Sequence, residues 1–329
     1  MKLGDRGTDI AHAAALLRAG GLVAFPTETV YGLGADAARG DAVAKIFAVK
    51  GRPRAHPLIV HVAPEVLDAT FGGWAREVPD AARTLAARAW PGPLTIILRR
   101  GPRVADATTG GNDTVGIRVP AHPVALALLR AFEGGIAAPS ANRFGAVSPT
   151  TAAHVAADLG GDVDYILDGG PCSVGVESTI VDFSRGAPVL LRPGGLARAT
   201  IEAITGPLAR ADAQAPAAPG TLASHYAPRA QVIATDLAHV ATEVASARAY
   251  APRIAVLAPA AAFAGWHDLG VVEHRLPDDV DGMARELYAA LRDLDAAQVD
   301  VVIAALPPAA GLGEAVGDRL LRAAGPREK

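Results

Sequence analysis

The chain has 329 residues, half of them hydrophobic, which is enough for about two domains of ordinary size. Its 31 Lys and Arg nearly balance its 34 Asp and Glu, and the net charge is −3. This balance argues against a globally basic nucleic-acid coat, because phosphate binding needs concentrated positive charge. A single cysteine, Cys172, excludes an internal disulfide and a zinc site made of several cysteines.

The sequence offers no segment suited to a membrane. No apolar run reaches the roughly 18 residues that a spanning helix requires. The N-terminal sequence MKLGDRGTDI carries charges where a signal peptide has its apolar core. We therefore expect a soluble, cytoplasmic protein.

Apolar periodicity predicts a first domain, residues 6–200, in which strands and helices mix without strict alternation. Helical spacing indicates helices over 10–19, 36–49, 79–89, 123–132 and 150–159. Short apolar runs indicate strands over 22–25, 58–62, 94–98, 115–119, 136–138, 165–167, 179–183 and 189–191. We expect an α/β fold with a mixed, twisted sheet layered with helices.

Residues 207–229 are rich in Ala and Pro without an apolar period, which is typical of an extended linker. The polar sequence His225-Tyr226-Ala-Pro stands near its end. Beyond it, strands predicted over 232–234, 254–257, 271–275 and 299–304 alternate with helices over 237–247, 280–294 and 312–323. This alternation predicts a small Rossmann-like α/β domain with a parallel sheet, residues 230–329.

Two polar clusters follow early strands of the first domain. The sequence PTETVYG, residues 26–32, could grip a small polar ligand or form an ordinary polar turn. Lys50, Arg52 and His56 lie in a loop framed by Pro and Gly, and His61 follows on the next strand. Lys as a point charge and Arg as a planar fork suit a polyphosphate, while a solvated basic loop is the alternative.

Arg118 stands within an otherwise apolar predicted strand, where an unpaired charge is costly. It should therefore meet an anion, either an internal carboxylate or that of a ligand. Ser148 precedes a predicted helix and could cap it, or a ligand anion could lie at the positive helix end. Other strand boundaries carry an amide, a hydroxyl or a cation: Ser140, Asn142, Ser178 and Arg192.

Several common catalytic motifs do not occur in the sequence. It contains no GxxxxGK[ST] phosphate loop, no HExxH and no GxSxG. Cys172 is expected to be a small core residue rather than a nucleophile. A phosphate ligand would therefore be bound by separate cations and hydroxyls.

The order of these motifs resembles the L-threonylcarbamoyladenylate synthases. The motifs are FPTETVYGLG at 25–34, KGRP at 50–53, WPGPLT at 90–95, GIRVP at 116–120, PSAN at 139–142, SPT at 148–150, EST at 177–179 and RPG at 192–194. The sequences HYAP at 225–228 and GLGEAVGDRL at 311–320 resemble the longer, two-domain form of this family. The resemblance implies a YrdC-like catalytic domain, residues 6–200, a linker and a C-terminal domain.

The resemblance also implies an activity. The family joins L-threonine, bicarbonate and ATP into threonylcarbamoyl-AMP and releases pyrophosphate. Mg2+ accompanies the ATP, and its binding residues stay open. A transferase complex then passes the threonylcarbamoyl group to a tRNA adenosine, so a transient handoff to that complex is implied, while direct binding of tRNA is left open.

Site residues follow from the same resemblance. The residues implied for L-threonine are Thr29, Tyr31, His61, Arg118, Ala138 and Ser178. Those implied for ATP are Lys50, Arg52, His56, Thr114, Ser140, Asn142, Ser148, Arg192, His225 and Tyr226. Of these, Lys50, Arg52 and Arg118 are expected to carry catalysis. The chain has His56 where relatives commonly have Asn, and Phe144 where they have Ser.

Two other functions remain open on the sequence. A concave basic surface could hold double-stranded RNA through its phosphates, although the cations lack interleaved aromatic residues. The same scaffold could also transfer a carbamoyl group to another amine or hydroxyl.

Overall fold

The computed structural model describes residues 5–66, 68, 71–266 and 270–326. The chain forms two compact units. The first contains the chain up to Phe144, Ser148–Ser173 and Glu177–Thr221, and the second contains Gly145–Val147, Val174–Val176 and the chain from Leu222. The predicted linker is thus divided, with residues up to 221 in the first unit and the following residues in the second.

The first unit is a large mixed sheet with helices. Its strands are β1 (Asp5–Gly7), β2 (Val23–Phe25), β3 (Gly32–Asp36), β4 (Ile59–His61), β5 (Ala75–Arg76), β6 (Leu94–Arg100), β7 (Thr114–Arg118), β8 (Ile136–Ala137), β9 (Tyr165–Leu167), β10 (Thr179–Asp182), β11 (Val189–Arg192) and β12 (Ala209–Arg210). Its helices are α1 (Ile10–Arg18), α2 (Gly40–Lys50), α3 (Asp80–Ala89), α4 (Asp106–Thr109), α5 (Pro123–Phe132), α6 (Ala152–Asp158) and α7 (Arg198–Thr205).

The strand order confirms the predicted mixed sheet. The strands lie in the order β1-β9-β2-β3-β8-β4-β7-β6-β10-β11-β12, with β5 beside β6. β4 pairs with β7 in parallel, and β6 with β10, while β6 and β7 pair antiparallel. The loops that follow β4 and β7 therefore leave the sheet at the same edge.

Strand β3 was not predicted, and the helix expected over 36–49 begins only at Gly40. The sequence of β3, GLGAD, has little strand propensity, since Gly is depleted in strands. Close packing explains its glycines. A Cβ on Gly34 would stand 2.7 Å from Cγ2 of Ile136 and 2.9 Å from Cε1 of Phe25.

The two faces of the sheet carry separate cores, as the alternation of strand side chains requires. In β2, Ala24 belongs to the larger core, while Val23 and Phe25 pack with helices α1 and α5 on the opposite face. A small cluster of Ile59, Ile97 and Ile180 has the linker residue Ala218 packed against it.

The second unit confirms the predicted parallel α/β pattern. Its strands are β13 (Gln231–Thr235), β14 (Ile254–Pro259), β15 (Val272–Leu276) and β16 (Val301–Ala305), and its helices are α8 (Val240–Ala247), α9 (Val280–Ala296) and α10 (Gly313–Ala323). The strands lie in the order β13-β16-β14-β15 and all pairs are parallel. In the described residues of both units, no helix is long and apolar enough to cross a membrane.

Candidate active site

Strand alternation brings the predicted site residues of β4 and β7 to one face of the sheet. Val60 and Ile117 point into the larger core, so their neighbours point to the other face. These neighbours are His61 of β4 and Arg118 of β7, which are direct partners in the ladder. We call this side, which carries His61, Arg118 and the isoleucine cluster, the site face.

Arg118 is buried, as is the carboxylate that it meets. One nitrogen of its guanidinium, Nη2, lies 2.7 Å from Oε1 of Glu28, and the two side chains are 4% and 7% exposed. The other oxygen of Glu28 accepts a 3.0 Å hydrogen bond from the main-chain N–H of Ala121. The anion expected near Arg118 is therefore an internal carboxylate, in the PTETVYG sequence.

In the part of the chain that the structure describes, Arg118 and His61 each have a buried nitrogen without a hydrogen-bond partner. Among the described residues, neither Nε of Arg118 nor Nδ1 of His61 has a hydrogen-bond partner. Burial and, to a smaller extent, the charge of Arg118 lower the pKa of His61 to about 3. His61 is therefore a neutral imidazole at physiological pH. The two residues together offer a buried guanidinium N–H and a neutral ring to a ligand.

Lys50 is the last residue of α2, and Gly51 ends the helix with a left-handed φ of 64°. The ammonium of Lys50 is directed to the PSAN sequence, where it donates to the carbonyl of Ser140 at 2.6 Å and also to that of Asn142. Burial lowers its pKa well below the ordinary value, and the charge of Arg52 lowers it further. The structure therefore brings the KGRP and PSAN sequences together around one buried amine.

Arg52 and the two residues that depart from the family pattern lie together. Arg52 donates from Nη2 to the carbonyl of Pro57 at 3.1 Å, and its guanidinium carbon lies 5.7 Å from the ring centre of Phe144. His56 meets the same ring edge-on at 5.5 Å. The two departures are thus one packing change, in which an imidazole and a phenyl ring contact each other beside Arg52.

A second polar group is formed by Arg192, the last residue of β11, and Ser178, which directly precedes β10. Arg192 donates to the carbonyl of Ser178 from Nη2 at 2.8 Å, and the Ser178 hydroxyl lies 2.7 Å from that of Thr95. Beside them, the Ser148 hydroxyl donates to the Glu177 carboxylate at 2.6 Å. The hydroxyl of Ser148 is thus bound to the carboxylate of Glu177 and does not cap a helix. The N-cap of α6 is Thr151.

Thr114 lies in a narrow cleft of the first unit, between the sheet and the linker. This cleft is lined by Pro57, Leu58, Ile59, Thr95, Ile97, Thr114, Gly116, Ile180, Ala217 and Pro219. Arg192 donates from Nη1 to the carbonyl of Pro219 at 2.8 Å. The linker therefore already covers part of the site face.

Thr29, Tyr31 and Ala138 are all buried around β3. The Thr29 hydroxyl lies 2.8 Å from that of Thr27. The hydroxyl of Tyr31 donates to the carbonyl of Gly170 at 2.7 Å. Burial raises the pKa of this phenol. Tyr31 thus supports the loop, and its hydroxyl is already engaged.

His225 and Tyr226 belong to the second unit. The main-chain N–H of His225 donates to the carbonyl of Arg322, and Tyr226 stacks on Tyr288 with ring centres 5.7 Å apart. The guanidinium of Arg319 lies 5.1 Å from the ring centre of Tyr226. The last residues of the linker are thus held by helices α9 and α10 of the second unit.

Two carboxylates of this site, Glu28 and Glu177, were not singled out from the sequence as site residues. The signal was present, since each stands inside a motif beside a hydroxyl-bearing residue. The expectation for Cys172 agrees with its surroundings, because burial raises the pKa of its thiol to about 12. In the described parts of the chain, no group of three His, Cys, Asp or Glu side chains could hold a metal ion.

Comparison with known proteins agrees with this architecture. A family profile described as "Telomere recombination", Sua5_yciO_yrdC, matches residues 15–194. The profile of the C-terminal domain of threonylcarbamoyl-AMP synthase matches residues 196–325. The threonylcarbamoyl-AMP synthase of Pyrococcus abyssi is 43% identical over 331 residues, covering 97% of this chain and 94% of that protein. The chain belongs to the threonylcarbamoyl-AMP synthase family.

Other members of the threonylcarbamoyl-AMP synthase family match over the same extent. The Bacillus subtilis threonylcarbamoyl-AMP synthase is 43% identical over 339 residues, covering 99% of this chain and 96% of that protein. The crystal structure of Pyrococcus abyssi Sua5 complexed with L-threonine superposes with a TM-score of 0.89 at 41% identity, covering 98% of this chain and 97% of that one. The match extends through both units, as expected for the two-domain form of the family.

Proposed function

We infer that this chain joins L-threonine, bicarbonate and ATP into threonylcarbamoyl-AMP and releases pyrophosphate and water. The observation that carries this inference is the buried pair of Arg118 and His61. A buried donor without a partner costs free energy, so Nε of Arg118 is prepared for a ligand. A carboxylate fits it best, because guanidinium and carboxylate form strong charge-assisted hydrogen bonds.

We assign the threonine carboxylate to Arg118. The amino-acid subsite is then completed by His61, Thr29, the main chain at Ala138 and the hydroxyl of Ser178. We assign Tyr31 a supporting role in this subsite, because its hydroxyl already donates a hydrogen bond to the carbonyl of Gly170.

We assign the nucleotide to the cations and hydroxyls around the KGRP and PSAN sequences. Lys50, Arg52 and Arg192 would offset the charge on the phosphates, and His56 would lie beside Arg52. The remaining polar contacts would come from Thr114, Ser140, Asn142, Ser148, His225 and Tyr226. Since Mg2+ usually binds through substrate phosphates and few protein carboxylates, we propose that it enters with ATP and neutralises phosphate charge.

The reaction needs positioning and charge neutralisation more than a covalent catalyst. The threonine amine loses a proton and attacks the carbon of bicarbonate or of its CO2 equivalent. A C–N bond forms and a bicarbonate oxygen leaves as water. An oxygen of the resulting carbamate then attacks the α-phosphorus of ATP, and the bond to the departing pyrophosphate breaks. The enzyme would thus be a nucleotidyltransferase that acts on a carbamate.

The proton of the amine has two possible acceptors, His61 and bicarbonate. With a pKa of about 3, His61 is a weak base at physiological pH. We therefore assign proton acceptance to bicarbonate and an orienting role to His61. Closure of the site face by the linker would keep water from the carbamate.

Binding of double-stranded RNA fits this geometry poorly. Lys50, Arg52, Arg118 and Arg192 are between 3% and 7% exposed, so a duplex phosphate backbone could not reach them. Transfer of a carbamoyl group to another acceptor is compatible with the same site, and a comparison of acceptors decides it. If the product is used on tRNA, a cytoplasmic location and a transient handoff to a tRNA threonylcarbamoyl transferase complex follow as proposals.

Pyrophosphate release with each of the common amino acids tests this function. We expect release that depends on both threonine and bicarbonate, and its near-complete loss in Arg118→Ala. The matched control is Arg130→Ala, because Arg130 pairs with Glu65 at 2.7 Å but is 53% exposed. Full activity of Arg118→Ala, or release that is independent of threonine, would contradict the proposal.

A further inference from the structure

Glu28 neutralises the residue that we assign to the substrate carboxylate. Its Oε1 lies 2.7 Å from Nη2 of Arg118, and both side chains are almost fully buried. Its Oε2 is fixed by the main-chain N–H of Ala121 at 3.0 Å. Buried this deeply, the carboxylate is little screened by solvent, and it contributes a fixed negative charge to the amino-acid subsite.

Two titratable groups close to this pair, His61 and Cys172, carry no charge at physiological pH. Burial lowers the pKa of His61 to about 3 and raises that of Cys172 to about 12, so both are neutral. Burial also lowers the pKa of His122, which lies near Glu28. The charges of Arg118 and Glu28 therefore offset each other, and another positive charge near the subsite is that of Arg192, whose Nη2 lies 3.3 Å from the Ser178 hydroxyl.

Because this buried pair is neutral, the total charge of the pair and its ligand is set by the ligand. A zwitterion leaves the total at zero, whereas a carboxylate without an ammonium group adds a negative charge that burial makes costly. If Arg118 stood alone, its positive charge would instead favour any small carboxylate. The carboxylate beside Arg118 thus changes which ligands the site accepts.

We propose that Glu28 is a specificity-determining residue, which makes the subsite select zwitterionic α-amino acids over carboxylic acids that lack the α-amino group. The proposal rests on the proposed function, since it requires the ligand carboxylate to lie on Arg118. It makes chemical sense for the reaction, because a bound acid without an amine could not form a carbamate and would only block the site.

Calorimetric binding of two ligands tests the proposal: L-threonine and its des-amino analogue, 2,3-dihydroxybutanoate. In the wild-type chain we expect threonine to bind at least about tenfold more tightly than the analogue. Glu28→Gln has nearly the same shape without the charge, and it should reduce this ratio by about tenfold. The control Asp182→Asn neutralises another buried carboxylate, paired with Arg185 at 3.4 Å, and should leave the ratio unchanged.

The outcomes separate this proposal from the function on which it rests. If threonine does not bind, or binds equally well to Arg118→Ala, the assignment of the subsite fails. If threonine binding depends on Arg118 but Glu28→Gln keeps the wild-type ratio, only the role of Glu28 is overturned. Should Glu28→Gln not fold, the wild-type chain still decides, because equal affinity for threonine and the analogue would contradict the proposal.

Discussion

Arg192 donates a 2.8 Å hydrogen bond from Nη1 to the main-chain carbonyl of Pro219. Through this bond a residue of the predicted nucleotide site holds the linker. Ala218, beside Pro219, packs on the isoleucine cluster of the site face. The linker up to Thr221 is therefore part of the first unit's structure as well as a connection to the second.

Two truncated chains should differ in stability for this reason. A chain ending at Gly206 lacks β12 and the residues that cover the isoleucine cluster, whereas one ending at Thr221 keeps them. We expect the longer one to be more stable by about 2 kcal/mol, since burial of two or three small apolar side chains has this magnitude. Urea unfolding measures the difference, and equal stabilities would show that the linker is only a tether.

The two truncated chains also show whether the linker has a role in the reaction besides its structural role. The chain that ends at Gly206 lacks Ala218 and Pro219, which cover part of the site face. We therefore expect it to form little adenylate from threonine, bicarbonate and ATP. Full turnover by that chain would contradict the role of the linker in protecting the carbamate from water.

His61 should make stability depend on pH. Its pKa in the folded chain is about 3, below the ordinary value of about 6.5, so the unfolded chain binds more protons between these values. Stability contributed by the neutral imidazole is present above pH 6.5 and is lost as the pH falls toward 3. From pH 8 to pH 5 the loss should be about 2 kcal/mol.

The variant His61→Gln should lack this part of the pH dependence. Urea unfolding of both chains at pH 5 and pH 8 measures it, with the exposed His12→Gln as a control that keeps the wild-type slope. A slope in His61→Gln equal to that of the wild type would contradict the assignment.

Lys50 should take up a proton when ATP binds. Burial and the charge of Arg52 lower the pKa of its amine, and an adjacent phosphate would raise it again because an opposite charge favours the ammonium form. Calorimetry in buffers of different ionisation enthalpy measures the uptake, which should increase as the pH rises. Lys50→Arg should abolish it, and Lys45→Arg, on the same helix, should not. Undiminished uptake in Lys50→Arg would assign the proton to another group.

Arg319 should stabilise the second unit. It is fully buried, pairs with Asp318 at 2.6 Å and lies over the ring of Tyr226. Because Asp318 keeps a second partner in Arg322, Arg319→Met should cost about 2 kcal/mol rather than the full cost of a broken buried pair. Urea unfolding measures this cost.

A cation over an aromatic ring at the surface provides the matched control. Arg275 lies 4.8 Å from the ring centre of Phe263 and pairs with Glu273, but its side chain is 55% exposed. Arg275→Met should therefore cost less than about 1 kcal/mol. If the two variants lost the same free energy of unfolding, the burial of Arg319 would make no contribution to stability.

The sequence predicted most of the fold because short apolar runs define most of the longer strands. It missed β3, whose glycines lack strand propensity and are required by close packing that depends on distant Phe25 and Ile136. The parallel alternation of the second unit was predicted because its strands are short apolar runs separated by helical spacing, and the two central strands, β14 and β16, are buried.

The sequence predicted which residues belong to the candidate site, but not which of them contact each other. Arg118 within an apolar strand indicated that a carboxylate would be near, yet the sequence could not distinguish Glu28 from a substrate. The contact of Lys50 with Ser140 joins residues that are 90 positions apart and could not be derived from local pattern. The resemblance supplied the residue roles, and those roles remain predictions.

Mass spectrometry of the reaction product decides whether the chain forms threonylcarbamoyl-AMP. The chain is incubated with ATP, L-threonine and carbon-labelled bicarbonate, and the adenylate is isolated. We expect threonylcarbamoyl-AMP that carries the bicarbonate label, formed by the wild type and Arg130→Ala but not by Arg118→Ala. An adenylate without the label, or no adenylate from the wild-type chain, would contradict it.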